Sequence, residues 1–312
     1  MRILILGGRG FLGSNMAKAL ASERGVEIFA HSRVDGLDLQ NLECVRGFFR
    51  DIQPDFIINC AAHVGGVHYV SAIQAKVLFD NLQMSLNMFE AAKSECPKAT
   101  IVNPLSNCCY PGNTGVFFEK NWWEGDIHSS VYPYGHAKRM IFVMSTCYAK
   151  QHGIRTINLL VPNAFGPGDH TDPNRVHALN GMIIRMLEAA QRGERKFEIW
   201  GSGKPIREWI YVDDVTSILK RALSMGGDFL YPVNLARNKG YSILETAQLI
   251  AEAVGFKGEI TLRPEMQDGD PMKVMDDGEF RKRFPDFKFT DFREGIRRTV
   301  EYYSSVSIQK AA

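Results

Sequence analysis

A tyrosine and a lysine four residues apart, Tyr134 and Lys138 in Tyr-Gly-His-Ala-Lys, are the first residues here whose types and spacing can do chemistry. On a helix they share one face, so an ammonium sits beside a phenol. A nearby cation favours phenolate and draws the tyrosine down from about 10 toward working pH. A serine from another segment, Ser106 in Ser-Asn-Cys-Cys-Tyr-Pro, can hydrogen-bond the same substrate oxygen. Such a trio moves a proton to or from a carbinol oxygen while a hydride moves at its carbon. Alone, Tyr-x-x-x-Lys is a common surface pairing, and its meaning depends on what precedes it.

The elements that must position the trio begin at the amino end. Arg2 to Leu6 is a short apolar run, as a buried parallel strand would be. Gly7, Gly8, Arg9, Gly10, Phe11, Leu12 and Gly13 follow, then a helical segment through Ser22. Strand, glycine turn and helix form the dinucleotide-binding context, with Gly7, Gly10 and Gly13 allowing close backbone approach and the helix start facing the pyrophosphate. A second strand, Val26 to Ala30, ends in His31-Ser32-Arg33. An NAD-preferring fold usually places Asp or Glu there for the ribose 2′-hydroxyl. Arg33, and Arg9 within the glycine loop, suit a 2′-phosphate instead and favour NADP. Asp38 and Leu39 are placed to face the adenine.

Phe56 to Cys60 predicts a third strand, running into Ala61-Ala62-His63-Val64-Gly65-Gly66, whose small residues let backbone pass beneath a cofactor. A long helix spans about residues 75 to 94, with Asn81 and Asn87 either facing solvent or bracing strand ends. Thr100 to Pro104 is the next strand and delivers Ser106 to the carboxyl edge, where ligands of open α/β sheets bind. A loop with Trp122-Trp123 leads to the helix from Tyr134 to Gln151, then a strand from Thr156 to Val161. At Asn163-Ala164-Phe165-Gly166 the alternation breaks. The expected architecture is α/β: a Rossmann-type doubly wound parallel sheet over residues 1–165, with part of 205–236 returning to it, and a smaller α/β carboxyl-terminal substrate domain from 166–204 and 237–312.

Bulk properties narrow the classes. The chain has 312 residues, 45% hydrophobic and 23% charged, with net charge +2. That is ordinary for a soluble enzyme and argues against nucleic-acid or membrane partners. No run of about 18 apolar residues appears, and the start meets glycines too early for a signal peptide. Six cysteines without Cys-x-x-Cys spacing predict reduced thiols in a cytoplasmic protein. Eight histidines form no ligand-spaced cluster, so no metal is expected.

Taken together, the glycine motif, Ala61 to Val67, Ser106 to Pro111, Tyr134-x-x-x-Lys138, Trp200 to Glu208 and Asp268 to Lys273 resemble the extended short-chain dehydrogenase/reductase family over nearly the whole chain. The likeness is strongest to its nucleotide-sugar epimerase/reductases, which act on GDP-activated 4-keto-6-deoxy sugars. The resemblance implies hydride transfer from NADPH at Ser106, Tyr134 and Lys138. It further implies Cys108 as an epimerising base and His177 as partner acid on the opposite sugar face. Cofactor contacts extend to Phe11, Leu12, Ala61, Ala62, His63, Pro162, Asn163 and His177. Substrate contacts fall on Val64, Gly65, Arg185, Trp200, Lys204, Arg207 and Lys273. The chemistry suits these types, because a 4-keto group acidifies its neighbouring carbons and a thiolate removes such protons. A homodimer through the 75–94 and 134–151 helices is also implied. The chain departs from the family at Asn107, where serine is usual, and at Cys109, an extra thiol. A redox-neutral epimerase and a plain 4-ketoreductase are the competing activities. A cofactor sensor without catalysis would need none of Ser106, Tyr134 and Lys138.

Overall fold

Apolar strands alternate with amphipathic helices along the first two thirds of the chain, and the computed structural model shows how they assemble. It describes residues 1–225, 229–266 and 268–311; residues 226–228, 267 and 312, within the expected domain ranges, lie outside the described residues. In chain order come β1 (Arg2–Leu6), α1 (Phe11–Leu20), β2 (Glu27–His31), α2 (Leu42–Ile52), β3 (Phe56–Asn59), α3 (Val67–Ala72), α4 (Gln74–Glu95) and β4 (Thr100–Ser106). Then follow α5 (Tyr132–His152), β5 (Arg155–Val161), β6 (Asn163–Phe165), α6 (Ala178–Gln191), β7 (Lys196–Trp200), β8 (Ile206–Tyr211) and α7 (Val212–Met225). Last are β9 (Phe229–Asn234), β10 (Gly240–Ser242), α8 (Ile243–Val254), β11 (Glu259–Arg263), β12 (Met272–Lys273), α9 (Gly278–Arg283) and α10 (Phe292–Ala311).

Six strands form one sheet in the order β2-β1-β3-β4-β5-β9, every pairing parallel. Period-two alternation sends Leu4 and Leu6 to the face covered by α2 and α4, through Phe49 and Phe89. Ile3 and Ile5 point the other way, to Met16 and Leu20 of α1 and Ile218 and Leu219 of α7. Phe280, Phe284 and Phe287, in the range expected with the second lobe, pack in this same core. With all strands parallel, the turns after β1, β3 and β4 share one carboxyl edge, which is where Gly7, Ala61 and Ser106 stand.

The remaining strands build the second lobe. In one sheet β8 pairs with β6, β10 and β12, and β11 pairs with β7 in another. Leu179, Ile183, Trp209, Ile250 and Ile296 close its core. No helix among the described residues is long and apolar enough to cross a membrane.

Glu208 ties the two lobes. Its fully buried carboxylate accepts from the Arg237, Asn238 and Met275 backbone N–H groups, joining β8 to two segments that run back toward the first lobe. Burial pushes this carboxyl up to about 7 against the pull of those three bonds. Glu208→Gln sets an amide N–H against a backbone N–H and is expected to cost about 1–3 kcal/mol in urea unfolding. Because the folded value lies above the ordinary 4.5, the carboxyl's contribution is full below pH 4.5 and declines as pH approaches 7. The wild-type advantage should therefore narrow across that window.

Candidate active site

The glycine loop leaves β1 at Gly7, whose φ of +74° suits glycine, and a Cβ there would lie 2.9 Å from Ala61 backbone. Gly10 caps α1 with no side-chain hydrogen bond, so the first-turn N–H groups of Phe11, Leu12 and Gly13 are offered to an anion. On the neighbouring turn His63 is clamped by Asn81, which accepts from its N–H at 3.0 Å and donates to its carbonyl at 2.8 Å. The Asn87 amide holds the Leu39 carbonyl at 2.8 Å. Both asparagines are buried rather than solvent-facing: Asn81 braces the turn after β3, and Asn87 braces the loop that leads into α2. Cradle, helix start and braced turns fit a nicotinamide dinucleotide.

At the ribose end the structure corrects one inference. An acid does follow β2: Asp35 folds back, accepting from Ser32 Oγ at 2.7 Å and from Arg9 Nε at 2.8 and 2.9 Å. The Arg9 guanidinium and the Ser32 hydroxyl hold its carboxyl well below the usual range. Arg33, for its part, pairs with Asp38 at 3.2 Å. Both arginines expected at a 2′-phosphate are already engaged by carboxylates. Ser32-x-x-Asp35 has capping-box spacing, which is the signal that marks the fold-back.

The catalytic candidates meet where β4 ends. Ser106 Oγ accepts from Cys108 N at 3.1 Å, tightening the turn that presents the thiol. Gly135 lets α5 close on that turn, since a Cβ there would fall 2.3 Å from the Cys108 carbonyl oxygen. Tyr134 comes with it, and Lys138 Nζ stands 5.7 Å from the Tyr134 ring centroid. Burial, with Cys108 and Cys109 adding to it, pushes the Tyr134 phenol above its ordinary range, and burial lowers Lys138. The expected drift toward phenolate is thus opposed by burial, which favours the protonated phenol. From the other lobe Lys273 Nζ reaches Cys108 Sγ at 3.7 Å. Cys109 is fully buried, and burial lifts its thiol to about 12, so it is the inert member of the pair.

His177 sits against the glycine loop, its ring centroid 5.3 Å from that of Phe11. Its Nδ1 and its backbone N–H both lie 2.9 Å from Asp169 Oδ2. Burial alone would raise the Asp169 carboxyl, but His177 and the Asn180 amide bring it below its usual value. That contact fixes the imidazole with Nε2 outward, so Asp169 is an orienting residue the sequence reading did not single out.

The substrate candidates divide. Arg207 is mostly buried and donates to the Ile206 carbonyl, and burial lowers it despite Asp270 and Cys108 nearby. Lys204 lies in a turn pinned by Asp268, which accepts from Ser202 N at 2.9 Å and from Ser202 Oγ at 2.6 Å. Arg185 is held over Phe197 at 4.8 Å and donates to the Glu198 carbonyl. Trp200 is 55% exposed at the end of β7. Gly65 packs against Asn174, whose carbonyl accepts from Gly66 N, so Val64 and Gly65 abut the loop that carries His177. Asn163 donates to the Glu208 carbonyl at 2.9 Å and Pro162 is buried beside it, a strand-joining role for this pair.

Fold and site together define a nicotinamide-dependent enzyme of the short-chain dehydrogenase/reductase type. Residues 3–231 match the model of the NAD dependent epimerase/dehydratase family, and the chain belongs to that family. It is 32% identical over 306 residues to a GDP-L-fucose synthase of Azorhizobium caulinodans, covering 97% of this chain and 96% of that one. A probable GDP-L-fucose synthase of Drosophila melanogaster is 29% identical over 316 residues, covering 97% of each. The crystal structure of a GDP-L-fucose synthetase from Naegleria fowleri bound to NADP superposes with a TM-score of 0.87, at 25% identity, covering 98% of this chain and 95% of that one.

The Arg9–Asp35 pair generates a test. Asp35→Asn should release the guanidinium and tighten NADPH by roughly two- to fivefold, the equivalent of an exposed ion pair. NADH should gain nothing. Fluorescence titration of both cofactors reads this, and equal gains for the two would show Asp35 indifferent to the 2′-phosphate.

Proposed function

We propose that this chain is an NADP(H)-dependent nucleotide-sugar epimerase/reductase. It epimerises carbons beside the ketone of a GDP-activated 4-keto-6-deoxy-hexose and then reduces that ketone. The observation that carries this reading is one thiol, Cys108, presented on the same turn as Ser106 and flanked by Tyr134 and Lys273. A plain reductase needs the serine, tyrosine and lysine but has no use for a partly buried thiol among them.

Each residue then has a task. Ser106 and Tyr134 hydrogen-bond the keto oxygen and stabilise the charge it gains when a neighbouring carbon loses its proton. Cys108 takes that proton on one face. His177, with Nδ1 held by Asp169, returns one from the other through Nε2. The dinucleotide, when bound, supplies the hydride that reduces C4. Tyr134 then donates its proton to the resulting alkoxide, with Lys138 beside it. Arg207, Lys204 and Arg185 provide positive charge for the diphosphate, and Asp268 shapes the turn beneath it.

Two lobes divide the labour, the parallel sheet binding the cofactor and the second lobe, with Arg185, Trp200, Lys204 and Arg207, closing over the sugar nucleotide. Phe79 and Leu86 on α4 and Met140 on α5 are apolar yet 62%, 44% and 40% exposed, which supports a homodimer through those helices. Six free thiols suit the cytoplasm.

Tyr134→Phe tests the reading. Consumption of NADPH with GDP-4-keto-6-deoxymannose should fall by roughly 10²–10⁴-fold, the contribution of a positioned acid. The thermal shift caused by NADPH alone should be unchanged. Turnover within a few-fold of wild type would reduce Tyr134 to a helix residue.

A further inference from the structure

We propose that Lys273 and Asn107 together hold the Cys108 sulfur as a thiolate before substrate arrives, making Lys273 a positioning residue for proton abstraction rather than a phosphate ligand. This rests on the reading of Cys108 as the base. Two separate observations lead to it.

The first is the isolation of Lys273. It lies on the two-residue strand β12, is 6% exposed, and forms no ion pair with a carboxylate among the described residues. A buried ammonium requires a partner. The partner the structure provides is Cys108 Sγ at 3.7 Å. An opposite charge at that range favours the ionised form of a thiol.

The second is an orphaned amide. Asn107 is 2% exposed, and its Nδ2 has no hydrogen-bond partner. Its Oδ1 faces Cys108 Sγ at 3.8 Å, the arrangement for a thiol S–H donor. A half turn of the amide exchanges Oδ1 for Nδ2. Once the sulfur is ionised it has no proton to give and accepts from that N–H instead. One rotation thus satisfies the orphaned donor and solvates the anion. Serine, usual here, carries a single rotatable hydroxyl, whereas this chain's amide offers either polarity in place.

The groups facing the sulfur complete the balance: Lys273 from β12, Arg207 from β8, the Tyr134 phenol from α5 and the Cys109 thiol on its own turn. Two are cations and two are neutral, so the surroundings of the sulfur are net positive and favour an anion there. In the reaction the thiolate takes the proton from carbon and becomes a thiol. The electron pair of that bond moves onto the keto oxygen. His177 imidazolium then protonates the carbon from the opposite face and is left neutral. Lys273 keeps its proton throughout, and nothing is oxidised.

Iodoacetamide labelling of the NADP⁺-loaded protein at pH 7 and pH 9.5, resolved by cysteine through peptide mass spectrometry, tests this. Exposed Cys147 is the internal reference. For Cys108 the ratio of the pH 7 rate to the pH 9.5 rate should exceed that of Cys147 at least tenfold. Lys273→Met should lower the Cys108 ratio about tenfold and Asn107→Ala about threefold, while Lys273→Arg preserves it. The pH 9.5 rates should match across variants, establishing equal access, and unchanged NADPH binding establishes an intact fold. A wild-type ratio equal to that of Cys147, or a ratio indifferent to Lys273→Met, overturns the proposal. A high, Lys273-dependent ratio without proton exchange on a keto-sugar would sink the epimerase reading alone. Exchange accompanied by a Cys147-like ratio would sink this inference alone.

Discussion

The Arg139 guanidinium sits inside the first lobe and donates to three carbonyls: Cys109 at 2.7 Å, Trp122 at 2.9 Å and Gly125 at 3.1 Å. Those bonds fasten α5 to the turn after β4 and to the long loop beyond it. The proposed hydride-transfer trio depends on that fastening, because Ser106 belongs to the turn and Tyr134 and Lys138 to the helix. A buried cation with three acceptors is costly to disturb, since any one lost leaves a desolvated N–H. The close fit at Gly135 and the Arg139 bonds act together, one permitting the approach and the other holding it.

Opposite this rigid floor the second lobe brings charge. Glu208 draws three backbone N–H groups to the end of β8, and the neighbouring residue in that strand is Arg207. Strand β12 pairs with β8 in register, Lys273 beside Arg207. The same knot that joins the lobes therefore places both cations over Cys108.

Much of this was readable in the residues. Glycine spacing after an apolar run, the four-residue step from Tyr134 to Lys138 and the placement of Ser106 at a strand end are local patterns with local causes. Helix α2 lies outside the sequence expectations although Val45, Phe49 and Ile52 recur on one face and Asn41 caps its start at 3.1 Å. Charge pairings were harder. Arg9 and Asp35 are 26 residues apart, and only the parallel register of β1 and β2 brings their loops together. Asp169 is eight residues from His177 in sequence, and only the folded turn brings its carboxylate to the imidazole. For the Tyr134 phenol, spacing names the nearest charge but says nothing of the burial that raises it.

The central claim is that one site exchanges protons beside a ketone and then reduces it. Incubating the protein with NADP⁺ and the 4-keto sugar in D₂O isolates the first half, since no hydride is available. Mass spectrometry should find deuterium at the adjacent carbons. Cys108→Ser should suppress most of it, because a hydroxyl is a far weaker base. His177→Asn should allow exchange but block completed inversion. No deuterium beside the carbonyl in this incubation, from wild-type protein that reduces the same sugar once NADPH is supplied, would contradict the account and leave a simple 4-ketoreductase.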